Sequence, residues 1–174
     1  MAIDDLMTNG GFEAGTLTNW DATNAGITGF NPHSGRYAAY LNAGPGSANL
    51  SQTVPVDGGE SYQLIVSLGK YGFFSSPDLF VRVTFLDDNN AELGAGLNVQ
   101  ISSSTLPNVI FNSWQEVYHT TNMAPGTATQ ARVEIIKPMG GLLDSSVMVD
   151  DVSLLEATTT PGLPGPTGPT GVMF

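Results

Sequence analysis

The chain has 174 residues, enough for one domain with or without a tail, and it contains no cysteine, which excludes disulfides, thiolate nucleophiles and thiolate metal sites. Five Lys and Arg against sixteen Asp and Glu give a net charge of −11, which sets the surface against nucleic-acid phosphates and anionic lipid and suits cations, neutral glycans or another copy of the chain. Only 12% of residues are charged, about half the usual share, whereas Gly (21) and Pro (11) are abundant, a balance that fits a loop-rich β protein better than a helical bundle.

The first five residues, Met1-Ala2-Ile3-Asp4-Asp5, are acidic and lack the basic and apolar regions of a signal peptide. No stretch reaches the roughly 18 uninterrupted apolar residues of a membrane helix. Turn signals then recur at Asn9-Gly10-Gly11, Ser34-Gly35, Gly44-Pro45-Gly46, Asp57-Gly58-Gly59, Asp87-Asp88-Asn89-Asn90 and Pro125-Gly126. Between them the period is two. Tyr62, Leu64, Val66 and Leu68 alternate with more polar neighbours, as do Leu79, Val81, Val83 and Phe85, and then Ala131, Val133 and Ile135. Such alternation places one set of side chains on a core and the other outward. No segment of a dozen residues holds a helical period. These features predict an all-β fold, an antiparallel β-sandwich of eight or more short strands over residues 1–156.

Residues 157–174 differ in composition. After a Thr-rich stretch, glycine occupies every third place at Gly162, Gly165, Gly168 and Gly171, with Pro in three of the four triplets. Only glycine fits at the axis of three wound polyproline II chains, so the period predicts a collagen-like tail. A plain Pro/Gly linker has no need of a period. Four triplets span only about 30 Å at about 3.1 Å per residue, too short to hold three chains unaided.

Several motifs, in order, resemble a known family. They are Asn9-Gly10-Gly11-Phe12-Glu13-x-Gly15 with Asn19-Trp20, His33-Ser34-Gly35-Arg36-Tyr37, Leu50-Ser51-Gln52-Thr53-Val54, Gly59-x-Ser61-Tyr62-x-Leu64, Trp114-Gln115-Glu116-Val117, Ala131-Arg132-Val133 and Val149-Asp150-Asp151-Val152-Ser153-Leu154. The set resembles galactose-binding-like jelly-roll domains, and among them carbohydrate-binding modules of families 4, 9 and 22. A domain of this kind ahead of Gly-Pro-Thr triplets also resembles the collagen-like surface proteins of spore-forming bacteria.

The resemblance implies a structural Ca²⁺ held by Glu13 and Asp150, with backbone carbonyls of the Ser34 to Arg36 loop completing the shell. Calcium takes six to eight oxygen ligands, so carboxylates and carbonyls are suitable donors. Asp150 is expected to share an inward face with Met148, Val152 and Leu154, where a carboxylate requires a cation, a pairing with Arg36 or a network of backbone N–H groups. Trp20 and Trp114 fall where the family packs its core. Tyr71, Phe73 and Phe74, in the loop Tyr71-Gly72-Phe73-Phe74-Ser75-Ser76-Pro77, form either an exposed ligand or assembly surface or a loop folded over one end of the core. His33 and His119 match no metal-ligand spacing, Gly94-x-Gly96 and Gly140-Gly141 lack the Lys of a phosphate loop, and no cleft accompanies Glu13, Glu116 and Asp150 as a glycosidase pair.

The expectation is therefore non-enzymatic. The first reading is a self-associating subunit, a homotrimer or fibre, of an extracellular surface structure such as a spore appendage or a virion. The alternative is a carbohydrate-binding adhesion module for a neutral glycan, including a phage receptor-binding component.

Overall fold

Ten strands form two five-stranded sheets in the computed structural model, which describes residues 4–157. The strands are β1 (Asp21–Thr23), β2 (Ala25–Thr28), β3 (Ala38–Leu41), β4 (Ala48–Pro55), β5 (Tyr62–Tyr71), β6 (Leu79–Leu86), β7 (Glu92–Ile101), β8 (Gln115–Thr120), β9 (Gln130–Lys137) and β10 (Ser146–Glu156). One sheet has the order β1-β4-β9-β6-β7 and the other β2-β3-β10-β5-β8, with every strand pairing antiparallel. Two single 3₁₀ turns, Ser103–Thr105 and Val109–Phe111, lie in the β7–β8 connection. The protein is an antiparallel β-sandwich.

The alternations read from the sequence line the core. Tyr62, Leu64, Val66 and Leu68 of β5 face Leu79, Val81, Val83 and Phe85 of β6 and Ala131, Val133 and Ile135 of β9 across one continuous cluster. Burying each such aliphatic side chain contributes about 1.5–3 kcal/mol relative to leaving it in water.

The Asn9–Trp20 segment folds around one side chain. Asn9 donates from Nδ2 to the Thr16 and Thr18 carbonyls and accepts from the Ala14 amide, while its own carbonyl accepts from Trp20 Nε1 at 3.0 Å. Phe12, at a positive φ of 59°, turns fully inward and stacks on Trp20 with centroids 5.3 Å apart. Gly10 is required here because a Cβ would overlap the Val152 carbonyl of β10, whose amide donates to the Gly10 carbonyl. Trp20 is thus a core residue, as its position implied.

β10 carries the main departure from expectation. Its pairing with β5 gains one residue between Asp150 and Ser153, and Asp151 takes a positive φ of 48°. This bulge switches the facing of the strand. Val147 and Val149 lie in the core before it, Val152 and Leu154 after it. Asp150 therefore does not share a face with Val152 and Leu154. It lies with Met148 on the outer face of the second sheet, buried there by a loop rather than by the sandwich core. The Gly162, Gly165, Gly168 and Gly171 triplets lie outside the described residues.

Candidate functional site

The outer face of the second sheet holds the site. Three connections cover it: residues 29–37 between β2 and β3, residues 72–78 between β5 and β6, and residues 102–114 between β7 and β8. Side-chain amides tie them together. Asn31 donates to the Val109 carbonyl at 3.0 Å, and Asn108 donates to the Gly72 carbonyl at 2.8 Å. Gly69 lets Val109 settle on β5, since a Cβ there would come within 2.5 Å of Val109 Cγ1. The result is a second, small apolar cluster of Ala38, Val109 and Met148 with Tyr40 and Trp114 packed against it. Trp114 is therefore not in the sandwich core: it is half-buried on the outside of the sheet, because Val117, three residues on, supplies the inward position of β8.

Two openings flank this cluster. One, of about 310 Å³, is lined by Thr28, Phe30, Tyr40, Tyr71, Ser146 and Met148. The rings of Phe30 and Tyr71 meet edge to face, with centroids 5.0 Å apart, and both are about 44% exposed. The other, of about 480 Å³, is lined by Pro32, His33, Asn112 and Trp114. Aromatic walls with a few polar groups on a preformed surface suit a ligand with flat apolar faces and hydroxyl edges.

Carboxylates hold the loop that forms one wall. Glu13 accepts from the Arg36 amide through both oxygens, at 2.9 and 3.0 Å, and from the Tyr37 amide at 3.0 Å. Asp150 is fully buried and accepts from the amides of His33 (2.9 Å), Ser34 (3.2 Å) and Asp151 (2.8 Å). Burial pushes its carboxyl up to about 7; the Ser34 amide opposes this, and the Asp151 charge adds to it. Asp151, expected to be merely solvated, accepts from the Ser34 hydroxyl at 2.7 Å and lies 2.6 Å from His33 Nδ1.

Glu13, Ser34, Arg36 and Asp150 thus converge, as the resemblance implied. They do so through amide protons, one of the arrangements the residues left open. The Arg36 carbonyl is turned toward Gly29. As arranged, the amides of Ser34 and Arg36 rather than their carbonyls face the two carboxylates. Among the described residues no three His, Asp or Glu side chains are grouped to hold a metal.

Ser67 Oγ approaches His33 at 3.3 Å, but at the same Nδ1 that faces Asp151. A nucleophile relay needs Ser and Asp on opposite ring nitrogens. His33 Nε2 instead faces Glu116 at 3.9 Å, and the ring stands edge-on to Trp114 at 5.6 Å.

Of the loop aromatics, Tyr71 lines the groove, whereas Phe73 and Phe74 lie beyond it, 78% and 59% exposed. Phe30, Tyr40, Asn112 and Met148 were not anticipated as site residues. The available signal was an aromatic in a turn-rich stretch, Gly29-Phe30-Asn31-Pro32.

No protein-family model matches the sequence, and a search of curated proteins finds no relative. Solved structures do match. A CBM61 module in complex with β-1,4-galactotriose aligns over 88% of this chain and 99% of that one, with 17% identity and a TM-score of 0.61. A family 16 carbohydrate-binding module and a CBM22-1 xylan-binding domain share the same β-sandwich fold. The enzymatically active domain of tailspike protein 4 from bacteriophage CBA120 aligns over 88% of this chain but only 21% of its own, with 15% identity and a TM-score of 0.67. A Stig cyclase from Fischerella sp. TAU aligns over 90% and 98%, with 19% identity and a TM-score of 0.67. At these identities the likeness concerns the fold alone.

Proposed function

We propose that the chain is a non-enzymatic carbohydrate-binding module that takes a neutral glycan in the groove on the outer face of the second sheet. The observation that carries this reading is the preformed aromatic groove, with Phe30 and Tyr71 as its wall and Tyr40 and Met148 as its floor. Sugar rings offer C–H faces to aromatic side chains and hydroxyls to Thr28, Ser146 and the Tyr71 phenol. The net charge of −11 opposes anionic glycans. The shared fold with modules that bind galactotriose and xylan supports the reading.

The test is isothermal calorimetry and affinity electrophoresis against neutral β-linked polysaccharides. Tyr71→Ala and Phe30→Ala should each weaken binding by about tenfold, equivalent to about 1.4 kcal/mol for one stacked ring. Binding by no neutral glycan at millimolar concentration, or binding untouched by both substitutions, refutes it.

A second reading has its own support. Phe73 and Phe74 project into solvent, and the Gly162 to Gly171 triplets keep a period of three, which suits a homotrimeric or fibrous extracellular subunit displaying this module on a spore or virion surface. The two readings are compatible in an adhesin.

A further inference from the structure

One end of the sandwich carries an apolar rim that the groove does not use. Phe73 and Phe74, from the β5–β6 loop, and Met139, Leu142 and Leu143, from the β9–β10 loop, are each between 59% and 79% exposed. The two loops are joined: the Ser145 amide donates to the Ser75 carbonyl at 2.9 Å, and the Ser145 hydroxyl to the Phe74 carbonyl at 2.6 Å. Behind them, Lys137, fully buried on β9, donates to the carbonyls of Gly44 and Gly46 and fixes the loop that bonds Asp144 and Gly140 from the other side. Single exposed apolar residues need no explanation, but five on two bonded loops do. Together they expose on the order of 600 Å² of side chain, at the upper limit for the largest patch of a monomer.

We propose that this rim is where a second copy of the chain packs, head to head about a two-fold axis. Three observations select that occupant. The rim matches itself without any charge pairing, as an isologous contact requires. Its area approaches the roughly 800 Å² per partner of a stable interface. The described chain also ends at the other end: β10 starts at the rim, with Ser146 opposite Tyr71, and finishes with Glu156 opposite Tyr62, so Ala157 lies about 35 Å away, by the rise of a strand. Two heads can therefore meet at their rims with Ala157 of each at the far end. A bilayer is a poorer occupant, since Lys70 beside the rim donates its ammonium to the Phe74 carbonyl, Lys137 is buried behind the loops, and Asp78 and Asp144 flank them.

Sedimentation equilibrium of the full chain between 1 and roughly 100 μM, spanning ordinary affinities for interfaces of this size, tests the proposal. The double variant Phe73→Ser/Leu142→Ser should show half the weight-average mass of the wild type, with a cooperative melting transition whose midpoint no longer rises with protein concentration. Because the chain has no cysteine, Leu142→Cys provides a second measurement: oxidation should give a disulfide-linked dimer, while Asp57→Cys at the opposite end should not. Equal masses for wild type and double variant, or equal cross-linking at both cysteine positions, overturn it. So does a wild type that stays at 18.2 kDa throughout and instead floats with phosphatidylcholine vesicles.

Discussion

Asp150 gives the site an unusual pH dependence. A carboxyl raised from its unfolded value of 3.8 to about 7 keeps its proton in the folded protein over a range where the unfolded chain has lost it. The folded state binds more protons there, so this group's contribution to stability is fully present below about pH 4 and is lost as pH rises to about 7. The difference of about three units is worth about 4 kcal/mol at 1.36 kcal/mol each. Asparagine is isosteric with the protonated acid and does not ionise. It leaves one amide among His33, Ser34 and Asp151 without an acceptor, much as the protonated acid does. Urea denaturation of wild type and Asp150→Asn from pH 4.5 to 8, in the presence of a chelator, should give near-equal stability at the acid end and a more stable variant at pH 8. Calcium inverts the sign. An ion at Glu13 and Asp150 holds the carboxylate charged, so adding Ca²⁺ at pH 8 should raise the wild-type midpoint and leave Glu13→Gln/Asp150→Asn unmoved if the Ser34–Arg36 segment turns to receive it. A variant with the same pH slope as the wild type in chelator refutes the reasoning about Asp150.

Asn108→Ala removes the amide that ties the β7–β8 loop to Gly72 and the Oδ1 that accepts from the Ile110 amide, and should weaken glycan binding several-fold while lowering stability by about 1–3 kcal/mol, the net worth of two hydrogen bonds; an unchanged affinity in the calorimeter counts against a preformed groove. Gly165→Ala with Gly168→Ala should reduce the mass of any tail-driven assembly and leave the melting midpoint in place if the triplets wind as collagen; an unchanged mass marks them as a linker.

The core was legible because β5, β6 and β9 each keep a period of two without interruption, and period alone assigns their faces. The groove was much less so. Its floor comes from Tyr40 on a four-residue strand and from Met148, and its walls come from loops that meet only in the folded chain. Asn31 finds its acceptor 78 residues away at Val109. Nothing local in Gly29-Phe30-Asn31 announces that partner. Tyr71 was identified because it stands among aromatics in a Gly/Ser-rich loop, but the same signal does not separate it from Phe73 and Phe74, which point elsewhere. Asp150 and Glu13 were brought together by motif order, whereas the polarity of the groups facing them is a matter of how one loop turns.

The bulge at Asp151 sets the geometry of the whole site, and deleting that residue tests this. Asp is among the residues that tolerate a positive φ, yet the pair Asp150-Asp151 reads equally well as regular strand, so the inserted residue was invisible to pattern. Its effects run in both directions along β10. On one side it returns Val152 and Leu154, each almost wholly buried, to the core; on the other it leaves Asp150 outside, under the loop bearing Pro32 and His33, and aims its own carboxylate at Ser34. Removing Asp151 leaves Asp150 opposite Ser67 and brings Val152 opposite Val66, so the register becomes continuous with Val152 and Leu154 still inward. Both burials are kept, and what is lost is the carboxylate that accepts from Ser34 and faces His33, worth about 1–3 kcal/mol. The deletion should therefore fold and melt only modestly below the wild type, with glycan binding weakened as His33 and Ser34 are released. Asp151→Gly keeps the positive φ at no steric cost and loses only the bonds to Ser34 and His33, so it should fold, with a melting midpoint close to the wild type and weaker glycan binding as the 33–37 wall loosens. A deletion variant that does not fold would show that the bulge itself, rather than the inward register of Val152 and Leu154, holds β10 in the sheet, and the account of its facing would lose its physical basis.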